Sequence, residues 1–189
     1  MSFRDELLAQ WWVGDPFRPT EEALRYYEIK HAIAARLQPV SICEIGVRAG
    51  YSAFAFLSAA PRAKFLGIDQ GTHGVADIHE ASSCATNARR ILGEQAQFLW
   101  RNSRALRALP LINGLYPYEF VHVDADHTFA GCSHDLMLAR DAQYILVDDF
   151  DVGPEVRAAC REFLLGRPGQ WRAEYIPDGF RGNLLLLRE

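Results

Sequence analysis

The sequence predicts an α/β fold in which a mostly parallel β-sheet carries helices on both of its faces. Short apolar runs alternate with helical segments from residue 40 onwards, and four of these runs end at a glycine or an aspartate. Alternating strands and helices are typical of parallel sheets, and continuous apolar runs fit strands that are buried on both faces. No helix separates the last two strands, so we expect them to form an antiparallel hairpin at or near one edge of the sheet.

Local signals predict each element in turn. Thr20 is a capping hydroxyl ahead of two glutamates, which predicts a helix over residues 21–38 that Pro39 ends. We expect residues 1–19 to be irregular. The other predicted helices cover residues 52–60, 80–92, 129–142 and 154–165. The predicted strands cover residues 40–45, 65–68, 98–100, 120–123, 144–147, 171–176 and 183–187.

Length and composition predict one globular domain. The 189 residues suit a single domain, 1–189, with an irregular segment and a helix over residues 1–39 and the α/β core over residues 40–189. Hydrophobic residues make up 49% of the chain and charged residues 23%, which excludes a disordered chain. The net charge of −4 leaves no basic excess for a phosphate backbone, so we expect no nucleic-acid partner.

The ends of the chain and its cysteines indicate the compartment. No apolar run reaches the ~18 residues of a membrane helix, and the first residues lack a signal-peptide pattern. We therefore expect a cytoplasmic protein with no membrane partner. The four cysteines are far apart in sequence, which favours reduced, buried thiols over a zinc site or a disulfide framework.

The first predicted strand runs into a glycine-containing turn. The segment reads Glu44-Ile-Gly46-Val-Arg-Ala-Gly50-Tyr-Ser52. The two glycines allow a tight turn and a close approach of the main chain to a ligand, and Ser52 can cap the next helix. The segment is not the G-x-G-x-x-G of dinucleotide enzymes, and Glu44 suits an ammonium group better than a pyrophosphate. An ordinary strand-to-helix turn is the alternative interpretation.

The second predicted strand ends at Asp69, one strand–helix–strand unit after Glu44. An acid at this position commonly accepts hydrogen bonds from ribose hydroxyls in nucleotide-binding folds. A helix cap or a solvated loop acid is the alternative. Together with the glycine turn, Asp69 predicts a ligand that contains adenosine.

Acidic residues also follow the fourth and fifth predicted strands. Asp124, Asp148 and Asp149 would meet at the carboxyl edge of the sheet, where uncompensated carboxylates repel one another. Oxygen ligands suit Mg²⁺, so the sequence predicts a magnesium site. The alternative has no metal, with the acids binding an ammonium group or capping a helix. His127, three residues after Asp124, is a candidate base, with a structural histidine as the alternative.

These motifs, in this order, resemble those of class I S-adenosylmethionine-dependent methyltransferases. The closest resemblance is to small bacterial O-methyltransferases of the macrocin and cephalosporin-hydroxylase types, and it covers residues 40–189. The motifs that carry it are Glu44-Ile-Gly-Val-Arg-Ala-Gly50-Tyr-Ser52, Asp69, Val-His-Val-Asp124-Ala-Asp-His127-Thr-Phe and Ile-Leu-Val-Asp148-Asp149-Phe. The resemblance implies a Rossmann-like seven-stranded, mostly parallel sheet with a C-terminal antiparallel hairpin, in agreement with the strands counted above.

The resemblance also implies roles for individual residues. Magnesium would be held by Asp124, Asp148 and Asp149, and His127 would be the catalytic base. Asp69 would hold the ribose of S-adenosylmethionine. The residues expected to bind this cofactor are Glu44, Gly46, Gly50, Ser52, Asp69, Asn102, Ser103 and Asp124.

We therefore expect methyl transfer to a hydroxyl group of a small-molecule acceptor, assisted by Mg²⁺. A short chain can leave the acceptor site open or complete it with a second subunit, so a homo-oligomer is a further option. Aromatic residues near the amino terminus are expected to pack in the core or, alternatively, to cap an acceptor pocket: Trp11, Trp12, Phe17, Tyr26 and Tyr27.

Three other interpretations use the same residues. Asp124-Ala-Asp126-His-Thr128 matches the nucleophile motif of haloacid-dehalogenase-like phosphatases, but the lysine which that chemistry needs is missing between the acidic motifs. Asp-x-Asp alone is also a weak glycosyltransferase signal. A degenerate methyltransferase fold that only binds ligands is the non-enzymatic alternative.

Overall fold

A computed structural model describes residues 1–12, 15, 18–71, 78–110 and 117–189, with the backbone alone for residues 78–83. The strands are β1 (Ser41–Ile45), β2 (Lys64–Asp69), β3 (Ala96–Trp100), β4 (Phe120–Val123), β5 (Tyr144–Val147), β6 (Trp171–Ile176) and β7 (Asn183–Arg188). The helices are α1 (Phe3–Gln10), α2 (Glu21–Leu37), α3 (Tyr51–Ala59), α4 (Ile78–Leu92), α5 (Phe129–Ala139) and α6 (Pro154–Leu165).

The strands form one seven-stranded sheet in the order β3-β2-β1-β4-β5-β7-β6. All pairs are parallel except those of β7, which lies antiparallel between β5 and β6. The predicted α/β fold, with its C-terminal antiparallel hairpin at one edge, is confirmed. The chain leaves β1 towards β2 on one side and returns to β4 on the other. A ligand crevice is expected beyond the carboxyl ends of strands at such a switch point.

Each face of the sheet carries its own apolar core, because successive side chains of a strand point to opposite faces. On one face Cys43, Ile45 and Val121 pack with residues of α5 and α6. On the other face Ile42 and Phe120 pack with residues of α2 and α3. All four cysteines are buried, as predicted.

The amino-terminal segment differs from the prediction, because residues 3–10 form α1 rather than irregular chain. Ser2 accepts a hydrogen bond from the main-chain N–H of Asp5, and the Asp5 carboxylate accepts one from that of Ser2. This capping box satisfies two amides that a helix start would otherwise leave unpaired. Leu7 is buried where α1 packs on α2 and α3. The tryptophans and prolines within residues 1–19 favoured the prediction of irregular chain over a helix that starts at this capping box.

Helix and strand ends otherwise agree with the predictions to within about three residues. The largest difference is at α5, which ends at Ala139 rather than at residue 142. The main-chain N–H of Ala142 bonds to the carbonyl of Ala139, in a tight turn that leads into β5. Among the described residues, no helix has the length and apolar character needed to cross a membrane.

Candidate functional site

A cavity of ≈ 870 Å³ lies beyond the carboxyl ends of β1, β2, β3 and β4, at the switch point of the sheet. The predicted site residues that line it are Gly46, Ser52, Asp69, Asn102, Ser103, Asp124 and His127. The other four predicted residues, Glu44, Gly50, Asp148 and Asp149, are buried and are absent from its described lining. The structure therefore brings most of the predicted site to one cavity, with part of the acidic cluster beneath its surface.

The glycine turn brings β1 close to β4. Gly46 has φ +95°, and a β-carbon there would overlap the main-chain carbonyl of Asp124. Gly50 has φ +88°, and a β-carbon there would lie 2.9 Å from the Cα of Ala88 on α4. Both positions combine a left-handed backbone with close packing, so they require glycine. Gly46 thereby contributes bare backbone to the cavity wall.

Asp69 ties the glycine turn to the end of β2. Its Oδ2 accepts hydrogen bonds from the main-chain N–H groups of Val47 and Arg48, both at 2.9 Å. Its Oδ1 accepts one from the N–H of Gly71 at 2.6 Å. The carboxylate therefore has a structural function in addition to the ligand role predicted from the sequence.

Two further predicted residues follow β3 at the same end of the cavity. Asn102 donates a hydrogen bond to the side chain of Gln70 at 3.0 Å and accepts one from the main chain of Arg104. Ser103 is buried at the start of a 3₁₀ turn, and its carbonyl oxygen lies 3.1 Å from His134 Nε2. These contacts hold the β3 end of the cavity in place.

Glu44 lies on the α2 and α3 face of the sheet, directly across from His122 of β4. Its Oε1 accepts hydrogen bonds from Ser52 Oγ at 2.5 Å and from His122 Nδ1 at 2.7 Å. Burial raises the pKa of Glu44 well above its ordinary value, and burial together with Lys30 lowers that of His122. Glu44 thus reaches the cavity only through Ser52. His122 is a buried histidine with partners on both nitrogens.

Lys30 is a buried cation beneath the cavity that was not predicted from the sequence. Its side chain is 0% exposed, and Nζ lies 3.2 Å from Asp148 Oδ2 and 2.8 Å from His122 Nε2. Tyr26, one helical turn earlier on α2, donates its hydroxyl to the same carboxylate oxygen. Burial alone would raise the pKa of Asp148, but Lys30 and these neighbours hold it below its ordinary value.

His127 bridges two carboxylates at the cavity surface. Its Nε2 lies 3.3 Å from Asp124 Oδ1, and its Nδ1 lies 2.9 Å from Asp149 Oδ2. Hydrogen bonds to these two acids raise the pKa of His127 to about 10. A protonated imidazole has donors on both nitrogens and no acceptor. In this arrangement His127 is therefore a cation that holds Asp124 and Asp149 rather than a free base.

Asp124 lines the cavity, and its side chain is 22% exposed. Burial and the nearby Asp148 raise the pKa of Asp124 to about 7. A carboxyl group that titrates near neutral pH can accept a proton and release it again. Asp126, which also lines the cavity, pairs with Arg104 at 2.7 Å.

Arg181 approaches Asp149 from the loop between β6 and β7. Its NH1 atom lies 2.8 and 3.0 Å from the two oxygens of Asp149. The buried carboxylate of Asp178 accepts hydrogen bonds from the main chain at Phe180, Arg181 and Gly182, which shapes this loop. Protein cations therefore face each carboxylate of the acidic cluster: His127 at Asp124, Lys30 at Asp148 and Arg181 at Asp149.

The presence of a buried cation near the acids could have been predicted from the sequence in the case of Lys30. Lys30 lies four residues after Tyr26 and three before Ile33, on the apolar face of the helix predicted over 21–38. A lysine on a buried helical face must find a partner. Arg181 gives no such signal, because its place depends on the conformation of the β6–β7 loop.

Aromatic side chains form the wall of the cavity near the amino terminus. Trp11 stacks on Tyr51 with ring centroids 4.3 Å apart, and Tyr27 meets both rings edge-on. Tyr26 packs edge-on against Phe180 across the cavity wall. Trp11, Tyr26 and Tyr27 thus pack against other aromatic rings and also line the cavity, whereas Trp12 is absent from its described lining. Phe17 lies outside the described residues.

Comparisons with known proteins identify a domain family and a shared fold. A family model described as a methyltransferase domain matches residues 43–149, more than half of the chain. No curated protein matched the sequence.

Solved structures share the fold at low sequence identity. The O-methyltransferase TomG from Streptomyces achromogenes, in complex with SAM, is 20% identical with a TM-score of 0.62 over 86% of this chain and 79% of TomG. An O-methyltransferase from Bacillus cereus, in complex with SAH, is 17% identical with a TM-score of 0.61 over 98% and 90%. The SAH-bound methyltransferase PaMTH1 from Podospora anserina is 17% identical with a TM-score of 0.65 over 98% and 88%. At these identities the likeness shows the fold.

Proposed function

The chain belongs to the methyltransferase-domain family, and from this premise we propose that it transfers a methyl group from S-adenosylmethionine to a hydroxyl group of a small molecule. The observation that carries the proposal is the cavity at the switch point, which has a glycine turn and Asp69 on one side and Asp124 on the other. TomG and the Bacillus cereus protein are O-methyltransferases with SAM or SAH bound, which supports both the cofactor and the acceptor class proposed for this chain.

The lining residues suggest how the cofactor lies in the cavity. Asp69 would accept the ribose hydroxyls, since its carboxylate lies at the end of β2 within the lining. Asn102 and Ser103, after β3, would flank the adenine. The bare backbone at Gly46 and the Ser52 hydroxyl would meet the methionine end. Asp124 would then lie near the sulfonium, where a carboxylate favours the positive charge.

The cofactor's methyl group is already electrophilic, so the protein has two tasks. It must place the acceptor oxygen in line with the methyl–sulfur bond, and it must take the proton from that oxygen. We assign the proton to the Asp124–His127 pair. Asp124 lines the cavity and has a pKa near neutrality, and His127 holds it against Asp149. His127 is protonated in this arrangement, so it can accept a proton only after it has given up one of its own.

The Mg²⁺ ion predicted from the sequence would meet ligand atoms of the right chemical type, but the acids that carry them already have partners within the protein. Ligand atoms of Asp124, His127 and Asp149 all lie within 4.8 Å of one another, as do those of His122, Asp124 and Asp148. Asp149 is held by Arg181 through both of its oxygens, and the Asp148 side chain is 1% exposed beneath Lys30 and Tyr26. The predicted set of Asp124, Asp148 and Asp149 therefore does not fit Mg²⁺ in this arrangement, and we assign no step to a metal.

The acceptor is proposed to be a small molecule rather than a nucleic acid, because the net charge of −4 offers no electrostatic attraction for a phosphate backbone. Incubation with methyl-labelled S-adenosylmethionine and a panel of phenols and sugars tests the proposal. Labelled methyl ether products support it. Tight S-adenosylhomocysteine binding with no transfer to any acceptor would favour the ligand-binding alternative, and metal-dependent hydrolysis of phosphate esters would favour the phosphatase.

A further inference from the structure

The ammonium group of Lys30 is buried inside the protein, yet it has three polar partners. Its Nζ meets His122 Nε2 at 2.8 Å, Asp148 Oδ2 at 3.2 Å and Asn183 Oδ1 at 3.4 Å. The Tyr26 ring lies 4.3 Å from Nζ, in the position of a cation–π contact. An ammonium group has three donors, and the three acceptors match them. These four residues, His122, Asp148, Asn183 and Tyr26, form a cage that holds one cation and fixes its position.

The same cage determines where Asp148 and Tyr26 lie. Asp148 is the residue next to the end of β5, and its Oδ2 receives both Lys30 and the Tyr26 hydroxyl. Tyr26 in turn lines the cavity and packs edge-on against Phe180. A chain of contacts therefore runs from Lys30 through Asp148 to the cavity wall.

A buried charge is costly unless it is paired. An apolar side chain at position 30 would pack without that cost, so the cation needs a reason. The need for a cation comes from the adjacent acids. The other oxygen of Asp148, Oδ1, is buried without a hydrogen-bond donor among the described residues, so the carboxylate depends on the charge of Lys30. Two carboxylates thus come close together, Asp124 in the cavity lining and Asp148 beneath it, with Lys30 as the buried cation beside Asp148.

We propose that Lys30 is the resident cation of this acidic cluster, and that it positions Asp148 and, through it, Tyr26, so that the site works without a divalent metal ion. The proposal rests on the proposed function and deepens it. Lys30 touches neither the cavity nor the reacting atoms, so it is a positioning residue. Its ammonium occupies the place beside Asp148 that a bound metal ion would otherwise take, and Arg181 has the same effect at Asp149.

The test asks whether removing the charge of Lys30 makes the melting temperature depend on Mg²⁺. Lys30→Met removes the charge and keeps an unbranched side chain one atom shorter. Lys64→Met, at the exposed start of β2, is a matched control on the chain's only other lysine. The melting temperature of the wild type and of the control should not respond to millimolar Mg²⁺ or to EDTA. Lys30→Met should gain a Mg²⁺-dependent rise, because a ligand that binds only the folded state stabilises it. Adding Asp148→Asn should remove that rise.

Two results would overturn the proposal. One is a wild-type melting temperature that rises with Mg²⁺ and loses the rise in Asp148→Asn. The other is a folded Lys30→Met variant that stays indifferent to Mg²⁺. If Lys30→Met does not fold, the double variant Lys30→Met with Asp148→Asn decides. If the double variant folds, the proposed pairing of Lys30 with Asp148 is supported. If neither variant folds, that pairing is contradicted.

Binding of S-adenosylhomocysteine by the wild type is measured alongside by calorimetry. It separates the two proposals, since absent binding refutes the proposed function whatever the variants do with Mg²⁺. Unchanged melting behaviour of Lys30→Met with intact wild-type binding refutes the role of Lys30 alone.

Discussion

His127 donates towards Asp149 from Nδ1 at 2.9 Å, on the side of the ring opposite its contact with Asp124. The imidazole thus links the segment that follows β4 to the segment that follows β5. Because both contacts favour the protonated ring, the link depends on pH.

The pH dependence of stability should reveal this link. The folded-state pKa of His127 is about 10, above its ordinary value of 6.5, so the stabilisation is complete below about pH 6.5 and is lost as the pH rises through about 10. His127→Gln should flatten the fall in melting temperature between these values. His134→Gln, on α5, is the control and should keep the wild-type profile. A wild-type slope that persists in His127→Gln would contradict the account.

Asp69→Asn should weaken the binding of S-adenosylhomocysteine by more than tenfold. Hydrogen bonds to a charged group are worth about 1.5–3 kcal/mol, and the amide offers only one acceptor oxygen in place of two. Asp141→Asn, between α5 and β5 at the opposite edge of the sheet, should leave the affinity unchanged. Calorimetry measures both. Equal affinity in a folded Asp69→Asn variant would place the ribose elsewhere.

Gly46→Ala should destabilise the protein more than Gly169→Ala. Both glycines have a left-handed backbone, with φ +95° and +72°, so the strain of about 1–3 kcal/mol applies to both. Only at Gly46 does the new β-carbon overlap another segment, the carbonyl of Asp124, whereas nothing lies within 4 Å at Gly169. Urea denaturation should show the larger loss in Gly46→Ala. Similar losses in the two variants would show that the turn is not pressed against β4.

Tyr26→Phe should lower the free energy of unfolding by about 1.5–3 kcal/mol, because its hydroxyl donates to a buried carboxylate. Tyr175→Phe removes a comparable bond, from the Tyr175 hydroxyl to Asp151 at 2.6 Å, but at the protein surface. We expect that control to cost less than about 0.5 kcal/mol. The cost of Tyr26→Phe should shrink when Asp148→Asn is already present. Equal costs in the two backgrounds would argue against the contact.

The sequence predicted most of the fold because its signals are local. Each strand of the sheet is a short apolar run between turn residues, and β4, β5 and β6 begin and end as predicted. α1 was missed because its capping box consists of two residues, Ser2 and Asp5, ahead of a weakly amphipathic segment.

The site was only partly predictable, because side-chain direction decides what reaches the cavity. Glu44 follows the alternation of β1 onto the α2 face, one residue before the chain turns, so it meets His122 instead of the cavity. Lys30 and Arg181 come from elements far from the motifs, and their pairing with Asp148 and Asp149 depends on tertiary contacts that no spacing encodes.

The central claim is that the cavity at the end of β1 and β4 binds S-adenosylmethionine through the chain's own residues. Calorimetric titration of the wild type with S-adenosylhomocysteine, once in Mg²⁺ and once in EDTA, tests it most directly. The account predicts one site per chain and the same affinity in both buffers. No binding in either buffer, or binding that disappears in EDTA, would contradict it.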